Sequence, residues 1–160
     1  MNEFIDASVF LGMHSEEENI RIKCKNFFVK RMKKEIIMSF ETIGECDHII
    51  WGFSRLHQDS YYPFMDRLHT IMKIKRIPYG LKEVNLMSID KNLQNYKPGL
   101  NLALSITHRG VFYTLNQKLI SSSIDNIKTI PDEEVELMFP KDLEKYYEES
   151  LILKLSVFDF

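Results

Sequence analysis

A chain of 160 residues, 44% hydrophobic and 28% charged, is long enough to bury a core without metal or disulfide staples, and reads as one domain over 1–160. The 21 Lys and Arg against 23 Asp and Glu leave a net charge of −2, which excludes a global positive field for nucleic acid or anionic membranes. No apolar run approaches the roughly 18–20 residues of a membrane span and no leader-like segment opens the chain, so no membrane contact and a cytoplasmic location are expected.

In chain order, Glu3-Phe4-Ile5-Asp6 is a short strand that stops at a carboxylate. Ser15-Glu16-Glu17-Glu18 has the form of a capping box. Ile20, Cys24, Phe27, Phe28 and Met32 then recur at helical spacing to about Lys34, with Lys23, Lys30, Lys33 and Lys34 on the far side. That lysine cluster could track a phosphate backbone or simply face water. Glu35-Ile36-Ile37-Met38 reads as a second strand, buried on both faces. Ser39 caps a helix carrying Ile43, Cys46, Ile49, Ile50 and Trp51. Cys24 and Cys46 both fall in apolar-periodic stretches and read as small buried hydrophobes.

A helix within 56–73 has Pro63 at or near its first turn. The stretch 74–79 is extended, 81–95 is helical, and Lys97-Pro98-Gly99 breaks the pattern. Helical residues 100–109 close at Gly110, and Val111-Phe112-Tyr113-Thr114 is the clearest central strand. A brief helix from Gln117, a strand over 126–130 and a C-terminal helix and tail over 142–160 follow, with Phe158 and Phe160 making the tail hydrophobic. Strands alternating with helices of this length predict a three-layer α/β/α domain with a short, mostly parallel central sheet.

In such a sheet, ligands collect beyond the carboxyl ends of the strands. Asp6 and Asn116 are placed for that edge, and Glu41 and Glu45, four apart on the helix after the second strand, share one face. Oxygen ligands without a His/Cys set suit a hard cation, Mg²⁺ or Mn²⁺. Each residue also has a plainer role: Asp6 and Asn116 as caps, the glutamates as a solvated face.

The run Phe4-Ile5-Asp6-Ala7-Ser8-Val9-Phe10 resembles the first strand of PIN-domain proteins. Ile36-Ile37-Met38-Ser39, with Glu45 six residues after Ser39, is similar to that family's second strand and acidic helix. Gly110 to Asn116 is similar to the late strand that ends in Thr-x-Asp, and Ile127 to Pro131 to the closing strand. The resemblance implies a Mg²⁺/Mn²⁺-dependent ribonuclease fold, as in toxins of toxin–antitoxin pairs and in RNA-processing enzymes. Carried over, Asp6 is the first metal-binding acid and Glu45 the second, with Glu41 as its rival. Ser8, His14 and Thr114 are substrate-binding candidates near the same edge.

The third acid's position reads Pro98-Gly99-Leu100-Asn101, without a carboxylate, and the fourth is Asn116. At an effective dielectric of 20, one charge pair at ~4 Å is worth on the order of 4 kcal/mol, so two missing charges weaken divalent binding greatly. Asp66 is the candidate replacement.

Two functions are therefore expected. One is a metal-dependent ribonuclease acting on RNA through Asp6, Glu45 and Asn116. The other is a catalytically degenerate PIN-like domain binding a protein, antitoxin-like or scaffold, through Tyr61-Tyr62-Pro63-Phe64 and the tail. The aromatic content also fits a homodimer.

Overall fold

The computed structural model describes residues 1–156, so Phe158 and Phe160 of the tail lie outside the described residues. Among the described residues five short strands form one parallel sheet: β1 (Glu3–Ile5), β2 (Glu35–Ser39), β3 (Lys73–Ile77), β4 (Val111–Tyr113) and β5 (Ile127–Lys128), in the order β3-β2-β1-β4-β5. Each strand is joined to the next in the chain by helices that cross over, as parallel strands require. The helices are α1 (Ala7–Leu11), α2 (Glu18–Val29), α3 (Phe40–Trp51), α4 (Arg55–Ile71), α5 (Leu81–Ile89), α6 (Lys91–Gln94), α7 (Gly99–Thr107), α8 (Gln117–Ile120) and α9 (Lys141–Ser150).

Strand alternation divides the interior into two cores. Ile5, Ile36 and Met38 face one side, where they meet Phe10 of α1, Phe28 of α2, Ile50 of α3, Phe64 of α4 and Tyr147 of α9. Phe4, Ile37 and Phe112 face the other, against Leu93 of α6, Leu102 and Leu104 of α7, and Leu119 of α8. Helices thus cover both faces of the sheet, the three-layer α/β/α arrangement expected. Among the described residues no helix is long and apolar enough to cross a membrane.

Several local expectations are corrected. The Ser15–Glu18 capping box does not form, because α2 starts only at Glu18 and Ser15 is buried, bridged to Leu155. The Ser15 hydroxyl accepts from Glu17 N instead, at 3.1 Å. α2 ends at Val29, and Arg31 turns aside to pair with Glu3 at 3.0 Å. Pro63 lies inside α4 rather than in its first turn. Tyr61 and Phe64 are core residues, so the aromatic segment is packing more than contact surface. Cys24 and Cys46 are buried and free, as read.

Candidate functional site

Chain winding sets the site. From β1 the chain moves outward through β2 to β3, then returns to β4 on the other side of β1. The direction of winding therefore reverses between β1 and β4, and their carboxyl ends flank the crevice where such sheets hold ligands. Asp6 follows β1 and Thr114 follows β4, so both fall at this reversal.

The two strand ends are stitched together through Asp6. Its Oδ1 accepts from Ser8 N (3.0 Å), Val9 N (3.3 Å) and the Ser8 hydroxyl (2.5 Å), which makes it the N-cap of α1. Its Oδ2 accepts from the Thr114 hydroxyl at 2.5 Å. Ser8 Oγ in turn accepts from Leu115 N (2.9 Å) and Thr114 Oγ1 from Asn116 N (3.0 Å). Burial pushes the Asp6 carboxyl up, against hydrogen bonds from Ser8 and Thr114 that pull it down.

Glu45, one turn and a half into α3, feels this carboxylate. Its pKa is raised first by partial burial, then by Glu41 and Asp6, while Lys97 opposes. The structure thus gathers Asp6, Glu41 and Glu45 into one electrostatic neighbourhood at the reversal. Glu41 is exposed and, after burial, helps raise the pKa of the Tyr79 hydroxyl, which donates to Ser39 Oγ at 3.5 Å. Ser39 caps α3 by accepting from Thr42 N at 3.0 Å, as its sequence position implied.

The remaining candidates are placed elsewhere or otherwise engaged. Asn116 caps α8, its Oδ1 accepting from Lys118 N at 2.9 Å. Ser8 and Thr114 are buried and spend their hydroxyl protons on Asp6, so they position that carboxylate rather than meet a substrate. His14 is fully buried against Tyr61, Phe64 and Tyr147, with Nε2 2.7 Å from Ser150 Oγ. It is a core residue with no access to a phosphate. Asp66 is exposed on α4, where its charge acts on Tyr62 and His69 of the same helix, and it is not among the groups that shift Asp6. It does not replace a missing acid. Among the described residues no group of three or more His, Cys, Asp and Glu side chains is arranged to hold a metal ion.

Sequence reasoning passed over Asn101. It is buried in α7, its Nδ2 donating to Thr42 Oγ1 of α3 at 2.8 Å, with Oδ1 buried and unpartnered. The signal lay in its position, where the resemblance called for a third acid.

A family model described as a family of unknown function (DUF6190) matches residues 1–160 of the chain. No curated protein matches it.

Proposed function

We propose that this chain, which belongs to the DUF6190 family, is a PIN-like domain with a catalytically reduced strand-end site, working as a protein-binding module rather than as a ribonuclease. The observation that carries the reading is how the edge oxygens are used. Four protein donors occupy the Asp6 carboxylate, and the Asn116 carbonyl serves a helix cap. A hard divalent cation takes six or more oxygens, mostly anionic. Here the burial that raises the Asp6 pKa makes its anion harder to form.

A binding role is supported by the neighbouring surface. Leu81, Val84 and Ile89 of α5 and Phe40 of α3 are exposed. Next to them a groove of about 470 Å³ is lined by Val84, Met87 and Leu100, with Glu41 and Lys97 among its polar residues. Apolar surface with a polar rim is what a protein interface presents. One observation favours the ribonuclease reading instead: Glu41 and Asp6 both raise the Glu45 pKa, and a cation beside Glu45 would relieve that repulsion.

RNA cleavage assayed with Mn²⁺, parent against Asp6→Asn, decides between them. We expect no cleavage by either protein, and no Asp6-dependent heat when Mn²⁺ is titrated by calorimetry. Cleavage by the parent that Asp6→Asn abolishes overturns the binding-module reading.

A further inference from the structure

α3 contains a glycine that nothing inside the described chain requires. Gly44 lies in the interior of the helix, where glycine is less stabilising than alanine. A methyl group there would meet no atom within 4 Å among the described residues, and no described glycine has a positive φ. Gly12, Gly99 and Gly110 differ, since each is packed tightly against a neighbour. Gly44 is exposed, so the space left by its missing side chain opens outward.

Aromatic surface borders that gap. Phe40 lies four residues before Gly44 and Trp51 seven after, spacings that put all three on one face of a helix. Burial agrees: Phe40 is 55% and Trp51 70% exposed, whereas Thr42, Cys46 and Ile50 are buried. Trp51 is the chain's single tryptophan, and tryptophan is among the residues most concentrated at binding hot spots. Glu41 and Glu45, both exposed, flank the stripe on one side, and the half-buried Asp47 flanks it on the other. Glu41 also lines the groove with Val84 and Met87, so the apolar surface continues from α3 toward α5.

We infer that this face of α3 seats an amphipathic helix of another protein, which crosses at Gly44, sets its apolar side on Phe40 and Trp51, and brings lysines or arginines to Glu41, Glu45 and Asp47. The inference rests on the binding-module reading and gives that module's partner a chemistry. A position without a side chain lets a second helix reach the near end of the packing range, about 8 Å between axes. Apolar anchors at helical spacing are how an amphipathic helix is held. A second copy of the chain fits worse, because a symmetric pairing sets one patch against itself and so acids against acids. Nucleic acid and anionic membrane meet the same carboxylates, which repel them.

Trp51 reports on the test directly. The probe is a stapled, tryptophan-free helix as long as α3, with a stripe of leucine and alanine flanked by lysines. It is titrated against the full chain while tryptophan emission is followed. Binding should move that emission to the blue and saturate. A scrambled peptide of the same composition, and one with glutamates in place of the lysines, should leave it unmoved. Gly44→Gln fills the gap with a helix-favouring side chain, so its thermal midpoint should rise while its affinity for the probe falls about tenfold or more. Glu41→Gln/Asp47→Asn should also weaken binding and flatten its salt dependence. An unmoved emission, a shift that the scrambled peptide reproduces, or parent-like affinity in Gly44→Gln overturns the inference. Self-association of the parent by light scattering, with emission that moves to the red on dilution, overturns it too and assigns the face to a second copy. Should Gly44→Gln not fold, unchanged affinity in Glu41→Gln/Asp47→Asn is decisive against it. The two failures are separable: RNA cleavage by the parent that depends on Asp6 overturns the module reading, whereas a silent tryptophan without cleavage overturns this face alone.

Discussion

Lowering the pH from 7 to 5 should strip stability from this protein through His14. Ser150 Oγ donates to Tyr147 O at 2.6 Å and therefore accepts from His14 Nε2, 2.7 Å away. That fixes the neutral tautomer with its proton on Nε2 and leaves Nδ1 buried without a partner. A second proton would have to sit on Nδ1, out of water and with no acceptor. Burial, aided by the charges of Lys154 and Arg21, accordingly lowers the His14 pKa from 6.5 to about 3. A depressed histidine contributes stability that is complete above the unfolded pKa and is lost as pH falls from there toward the folded value. At pH 5 the unfolded chain takes up a proton that the folded chain refuses, 1.5 pH units below 6.5, which costs about 2 kcal/mol. Urea unfolding at the two pH values measures it: the midpoint should fall by on the order of 1 M more in the parent than in His14→Phe. The phenyl ring suits the surrounding aromatics, and Ser150 keeps its bond to Tyr147 O, so the variant orphans no hydroxyl. His69, also depressed chiefly by burial, remains in both proteins and cancels in the comparison. Equal pH sensitivity in the two proteins would refute the argument.

Lys25→Met should cost roughly 3–5 kcal/mol by chemical denaturation, because the buried Glu144 loses its counter-charge. Arg109 has φ 51° at the end of α7, where Gly110 N bonds back to Ser105 O at 2.8 Å. A side chain in this left-handed conformation costs about 1–2 kcal/mol, so Arg109→Gly should stabilise the fold by about 1 kcal/mol, read as a rise in the thermal midpoint. A fall in that midpoint would show that the arginine side chain makes a compensating contact.

The sheet was legible because its signals are local. Ile36-Ile37-Met38 has no polar face, so it had to lie between two layers, and Ser39 stands where a strand hands over to a helix. Val111-Phe112-Tyr113 is equally unambiguous as a buried strand. What failed depends on partners far along the chain. Ser15 looked like a cap until Leu155 claimed its backbone, with Leu155 N bonded to His14 O at 2.8 Å and Glu16 N to Leu155 O at 2.9 Å. Arg21, Lys25 and Asn26 of α2 carried no apolar signal, yet they are buried, because acids more than a hundred residues later pair with the two cations and accept from the amide. His14 followed a strand that ends at the candidate site, yet the 3-10 turn at Gly12–His14 carries it into the core under α9. Asn101 carried no charge to draw notice.

Asp6 shows why a carboxylate at a strand end is weak grounds for catalysis when taken alone. It sits at the winding reversal, the one place where a parallel sheet leaves two adjacent strand ends without a shared crossover between them. Those ends need tying. A carboxylate does this better than a neutral side chain, because it accepts from two amides of α1 and two hydroxyls at once and offers no donor to clash with them. Ser8 and Thr114 pass the link onward to Leu115 N and Asn116 N, so the chain after β4 is held by the cap after β1. The same geometry would orient a metal ligand, since hydrogen-bonded carboxylates are what metal sites use. What separates the two uses is the company the carboxylate keeps. Asn101 is turned to Thr42 of α3 and Asn116 to the α8 amide, so neither adds a charge, and of the acids only Glu45 is shifted by the Asp6 carboxylate. A latch needs no further acids, whereas a hydrolytic metal centre does.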